Sequence, residues 1–196
     1  MLRRSITLPA TIVLVLALAG SASAALVRVR VEGKSQTIFG ATQPRASATT
    51  ALGALESASI GGEFYYHVQV TNFGPYVDQI GRHPAGGSSG WVFKVNGASP
   101  PVGADQVELK DGDVVLWYWG VFGEAGGPAT LELARERSGC YRVTARNDAG
   151  AAVFVSATLR VDSRRVPMRS GRACPGPHRS LVRATAPGAV RSNALP

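Results

Sequence analysis

The sequence predicts an α+β fold, with one helix lying across a mixed sheet, followed by a small all-β appendage. Three observations predict it. Leu26–Gly33 alternates apolar and polar residues with period two, the mark of a strand with one wet face. Around residues 48–55 the spacing turns helical, with Ala48, Ala51, Leu52 and Leu55 on one stripe. Strand-like segments then resume, so that about 95 residues read β-β-α-β-β-β.

The elements follow in order after an export leader. Arg3 and Arg4 precede an apolar run from Ile6 to Ala19, and Ser21-Ala22-Ser23-Ala24 closes it with small residues at the positions an A-x-A cleavage site requires. Cleavage between Ala24 and Ala25 is expected. The alternative is a retained anchor, but a spanning helix needs about 20 continuous apolar residues, and this run is shorter and holds Pro9. No Cys follows the cleavage point for lipid attachment. The expected product is secreted, with no transmembrane segment after cleavage.

In the first strand Val27, Val29 and Val31 point one way and Arg28, Arg30 and Glu32 the other, with Gly33 ending it. Gln36–Gly40 reads as a hairpin partner across the turn Gly33-Lys34-Ser35. Ser47 or Thr49 is placed to cap the helix, and Gly61-Gly62 to stop it. Phe64–Val70 is aromatic and β-branched, a strand composition. After the loop Gly86–Gly90, the segment Gly90–Gly97 turns Trp91, Phe93 and Val95 inward and ends in Asn96-Gly97, a tight-turn signal. The turn Lys110-Asp111-Gly112-Asp113 delivers Val114–Trp119, apolar on both faces. Val115, Trp117 and Trp119 are expected to meet the helix. The face bearing Leu116 and Tyr118, with Lys94 beside it, is either a ligand surface or covered by the C-terminal segment.

From Thr130 the pattern is again strand-like: Thr130–Leu133, Gly139–Ala145, the turn Asn147–Gly150, then Ala152–Val161. The string Gly139-x-Tyr141-x-Val143-x-Ala145 resembles a hairpin of small immunoglobulin-like modules, but a full sandwich wants about seven strands. Residues 123–166 are therefore expected as a hairpin appendage, and 167–196, rich in Pro, Gly, Ser and Arg, as an irregular basic tail. Cys140 and Cys174 are the only cysteines. An even pair in an exported chain predicts a disulfide tying that tail down.

The net charge of +8 is uneven. Ala25–Gly120 holds seven basic and eight acidic residues, whereas Val121–Pro196 holds twelve Arg against five acidic residues. The arginines are dispersed, without aromatic interleaving or a nucleic-acid motif, so nucleic acid is not an expected partner; an anionic cell-wall polymer is. Catalysis finds no constellation. His67, His83 and His178 are scattered, no Gly-x-Ser-x-Gly occurs, and Asp111 and Asp113 sit in turn chemistry. Neither a metal nor a cofactor set is expected.

Gly90–Gly120 carries a further pattern: Gly90-Trp91 opening a strand, Val95-Asn96-Gly97 ending it, Gly103-Ala104-Asp105, Asp111-Gly112-Asp113, then Val115, Trp117 and Trp119 alternating. This string resembles a bacterial family of domains of unknown function that is similar to the C-terminal β-grasp domain of the vitamin B12 carriers transcobalamin and intrinsic factor. The resemblance implies a β-grasp (ubiquitin-like) domain over residues 25–122 and a cobalamin-like ligand. The carriers set this module behind a large helical domain, for which this sequence holds no counterpart. The functional expectation is a secreted, monomeric, non-catalytic binding module for a small ligand or surface partner. Lys94, Leu116 and Tyr118 are its candidate site residues. The alternative is a structural or adhesive accessory held electrostatically on the anionic cell wall.

Overall fold

The computed structural model describes residues 23–124 and 126–196. The leader expected at 1–24 lies, up to residue 22, outside the described residues. Ala25 opens the first strand, β1 (Ala25–Glu32), whose Val27, Val29 and Val31 are fully buried. On one edge β1 pairs antiparallel with β2 (Thr37–Phe39) at its far end and with β3 (Arg45–Ala48) at its start. On the other edge it runs parallel to β8 (Val114–Val121), from Arg28 opposite Val114 to Glu32 opposite Tyr118. β8 in turn pairs antiparallel with β7 (Ser89–Val95), the outer strand on that side.

Helix α1 (Ala51–Gly62) covers one face of this sheet. Thr50, rather than Ser47 or Thr49, is its cap, the hydroxyl accepting from the Gly53 N–H at 3.1 Å. Ala51, Ala54, Leu55 and Ala58 are buried at spacing i, i+3, i+4, i+7. Three alanines on that stripe let the helix lie close to the sheet, and the Trp117 indole N–H donates to the Ala51 carbonyl at 3.1 Å. The helix runs through Gly61 and Gly62 and ends where Glu63 adopts a left-handed conformation. Asn96 and Gly97 both have positive φ, and Val95 and Ala98 exchange backbone hydrogen bonds around them, so the turn is the two-residue hairpin that Asn-Gly predicts.

The α+β, β-grasp expectation is corrected. Among the described residues there are sixteen strands in several sheets and a single helix of twelve residues, so the chain is mostly β. Two departures account for this. The Phe64–Val70 segment does not join the main sheet. It forms β4 (Tyr66–Thr71), which pairs with β5 (Gly74–Ile80), and β5 with β6 (His83–Pro84), in a separate three-stranded sheet. Gly74-Pro75 at the start of β5 and Asp78-Gln79 within it mask its apolar alternation.

The second departure is the C-terminal half. β9 (Thr130–Arg135), β10 (Tyr141–Arg146), β11 (Ala152–Val153) and β14 (Arg172–Ala173) make one four-stranded sheet. β12 (Thr158–Val161), β13 (Arg164–Pro167), β15 (Val182–Thr185) and β16 (Ala194–Leu195) make another. Leu131, Leu133, Tyr141, Leu159, Val161, Val182 and Ala184 are buried in a shared core. Residues 167–196 are thus not an irregular tail: they supply three strands, each too short to announce itself by periodicity.

Cys140 and Cys174 are bonded, across 34 residues. On the chain-entropy model a loop of that length is worth about 3–4 kcal/mol. Thiol titration of the unfolded, unreduced protein is expected to find no free thiol. Cys140→Ser/Cys174→Ser should melt lower by an amount matching that range in denaturant unfolding; unchanged stability would mean the bond constrains nothing.

Candidate functional site

The two halves meet at a carboxylate. Glu32, at the end of β1, is buried, and so is Arg30 two residues before it. Period two puts both on the face of the sheet away from α1. The Glu32 carboxylate accepts from Arg183, from two N–H groups of Arg191 at 3.0 and 3.1 Å, from Arg30 at 3.4 Å and from the Thr37 hydroxyl at 3.1 Å. Arg30 also donates to the carbonyls of Arg191 at 2.5 Å and Leu131 at 3.3 Å. Burial pulls the Arg30 guanidinium down to about 10, while Glu32 pushes it back up. Nearby the Ala194 N–H donates to the Ala41 carbonyl at 2.7 Å.

This seating decides the fate of the sequence-predicted site. Leu116 and Tyr118 are buried against Val190 and the half-buried Val92. Lys94 is fully buried: its ammonium donates to the carbonyls of Asn147 at 2.7 Å and Arg146 at 3.2 Å and to the Thr130 hydroxyl at 3.3 Å, with Asp148 at 3.6 Å. Burial lowers its pKa, and Asp148 raises it in part. Lys94 therefore ties β7 to the end of β10 instead of presenting a charge to solvent. The Tyr118 hydroxyl donates to Asp148 at 3.3 Å, and burial first, then the Asp148 charge, pushes its pKa up. Of the three residues only Tyr118 lines the cleft beside β7; Leu116 borders a small cavity of about 30 Å³.

The cleft beside β7 measures about 360 Å³. Pro75, Tyr76 and Val77 of β5 form one wall, and Ser99, Pro100, Gly103 and Ala104 another. Trp91, Val92 and Phe93 of β7 with Trp117 and Tyr118 of β8 lie beneath, and Phe122 and Asp148 close the end. Phe93 stacks on Trp117, centroids 5.1 Å apart, so the aromatic lining is held by its own packing. A Cβ at Gly90 would come within 2.8 Å of the Tyr76 hydroxyl, so any larger residue there would push the Tyr76 ring aside. The polar side chains are few. Asp148 already accepts from Gly127 at 2.9 Å and from Tyr118, and its side chain is 39% exposed. The adjoining β4–β5 hairpin carries Val70, Tyr76 and Phe73 to solvent, Phe73 at 98% exposure.

Sequence reasoning missed Tyr76, Ser99 and Asp148. Asp148 was visible only as part of a turn, and the strand bearing Tyr76 was not recognised. The histidines stay apart: His67 pairs with Asp78 at 2.6 Å on the β4–β5 hairpin, His83 lies 6.2 Å from the Trp119 ring, and His178 hydrogen-bonds Tyr141 at 2.9 Å. Among the described residues no three of His, Cys, Asp and Glu gather as a metal would need. Among the same residues no helix is long and apolar enough to cross a membrane.

Fold and cleft together define a mostly-β protein with an apolar cleft beside the outer strand of its main sheet. Residues 48–120, from the last residue of β3 to the penultimate residue of β8, match the family model described as a domain of unknown function (DUF4430). No curated protein matches the chain. Among solved structures, the crystal structure of a "putative metal binding protein" from Ruminococcus gnavus ATCC 29149 is similar over 48% of this chain and 95% of that one, at 16% identity and a TM-score of 0.36.

Because both faces of β8 are covered, Tyr118→Ala and Trp117→Ala are expected to destabilise alike, by roughly 3–5 kcal/mol each. Thermal melts of the two variants measure this. A Tyr118→Ala protein that melts like the wild type would mean that the face is open.

Proposed function

We propose that this chain is an exported, non-catalytic binding module that takes a small, largely apolar ligand in the cleft between β5 and β7. The observation that carries the reading is the cleft: aromatic and aliphatic walls of about 360 Å³, in the lower range of ligand sites, with Ser99 and Asp148 as its few polar side chains. Such a lining favours a flat ring system with one donor directed at Asp148, and a body smaller than a corrin. The cobalamin-like ligand implied by the family resemblance would rest over the cleft instead of inside it. Metal binding, the property in the description of the Ruminococcus gnavus protein, finds no support in the cleft's single carboxylate. Export is supported by the leader pattern of Met1–Ala24 and by the Cys140–Cys174 bridge, which belongs in an oxidising compartment.

The test uses the full mature chain and the neutral probe N-phenyl-1-naphthylamine, whose fluorescence rises in apolar sites. Saturable binding to one site is expected. Tyr76 is 42% exposed, so Tyr76→Glu should leave the melt unchanged. It should weaken binding at least about tenfold, or 1.4 kcal/mol, by placing a carboxylate on the wall. Equal binding by the two proteins would remove the cleft as the site.

A further inference from the structure

The cleft accounts for none of the charge in the C-terminal half. Between Ala149 and Pro196 stand eight arginines and a single acidic residue, Asp162. Arg172 is paired with Glu136, and Arg183 and Arg191 with Glu32. Arg160, Arg164, Arg165, Arg169 and Arg179 are exposed and form no ion pair among the described residues.

Three of these, Arg160, Arg165 and Arg179, gather about one hairpin. Arg160 of β12 stands directly opposite Arg165 of β13 in the antiparallel register, and opposite Arg183 of β15 on its other side. Leu159 and Val161 point into the core, so period two sends Arg160 outward. Arg164 begins β13 at the turn opposite Val161, so it lies on the other face from Arg165. Arg179 is brought to the same turn because its backbone N–H donates to the Asp162 carboxylate at 3.2 Å. Asp162 offsets part of the charge at the turn: it lies near Arg164, and its oxygens also accept the backbone N–H of Ser180 at 2.8 Å. Those hydrogen bonds hold its pKa below the ordinary range.

Like charges directly opposite across a strand pair are destabilising. The sequence keeps such a pair at Arg160 and Arg165, in a fold whose other buried or bordering arginines all have acceptors. An arrangement that costs stability in the free protein and presents forked donors side by side is complementary to closely spaced phosphate groups. The outward face of the same strands otherwise carries Thr158 and Thr185, opposite each other, and no aromatic or leucine side chain. It therefore lacks the apolar anchors by which surfaces enter a lipid interface.

We infer that the outer face of the β12–β13 hairpin, with Arg160 and Arg165 at its centre and Arg179 beside its turn, is a docking surface for a flexible, linear, phosphate-bearing polymer. Recognition is by guanidinium–phosphate pairing at several points along one chain. It is independent of the apolar cleft, which lies against β5 and β7.

The experiment measures binding of fluorescein-labelled long-chain inorganic polyphosphate to the full chain over a series of salt concentrations. Binding should weaken steeply with salt, as released counterions require. Arg160→Ser/Arg165→Ser should lose about tenfold or more in affinity and flatten the log–log salt slope by roughly 0.7 for each arginine removed. It should melt at the same temperature or higher, since the opposed charges are gone. Tyr76→Glu should bind polyphosphate as the wild type does, which separates this surface from the cleft. Four results would overturn the inference: equal polymer affinity in the double variant, affinity insensitive to salt, competition by orthophosphate as effective per phosphate as by the polymer, or tighter binding to phosphatidylglycerol vesicles than to the polymer.

Discussion

A buried carboxylate ringed by three arginines holds this molecule in one piece. Taking Glu32 out of water costs several kcal/mol unless its oxygens are fully satisfied. Here Arg183 and Arg191 from the C-terminal half and Arg30 and Thr37 from the N-terminal half supply the donors. Each partner is useful only where the others are. Arg191 also donates to the Gly33 carbonyl at 2.7 Å, and Arg183 to the Ser192 carbonyl at 2.6 Å, so the cluster fixes backbone as well as charge. The register of the C-terminal strands over β1 follows from it.

From that register the rest of the interface follows. Val190 is laid on Leu116 and Tyr118, and the parallel bridge between Thr130 and Val190 continues the contact. The end of β10 arrives over Lys94, whose buried ammonium donates to the carbonyls of Arg146 and Asn147. Asp148, delivered by the same turn, reaches the Tyr118 hydroxyl and closes one end of the cleft. The cleft is thus a by-product of the seating: one end is C-terminal, the floor is β7 and β8, and the wall is the small sheet that left the main one.

Much of the first half was legible in the residues. Val27, Val29 and Val31 alternate because they line the helix side of β1, Asn96-Gly97 makes the tight turn its sequence asks for, and Trp117 belongs to the core. The helix boundaries shifted because Thr50 also caps well and Glu63 accepts a left-handed conformation. The fold class was misjudged for a different reason. Strands of two to four residues, such as Arg172–Ala173 or Ala194–Leu195, are too short to show a period. The site was misjudged because charge was read as exposure. Lys94, Arg30 and Glu32 look like a wet face in the sequence, yet all three are buried. Their partners Arg183, Arg191 and Asn147 lie 50 to 160 residues away, and no local pattern points to them.

The most direct test of this account is native-state hydrogen exchange on Glu32→Gln, which keeps the side-chain shape and removes the charge. Three arginines would then share a neutral amide, a loss of about 3–5 kcal/mol for a broken buried pair. The account predicts faster exchange at the amides of Leu131, Leu133, Ala184 and Ala194, which belong to the elements seated by the cluster, together with a lower melting temperature. Exchange at those four amides indistinguishable from the wild type would contradict it.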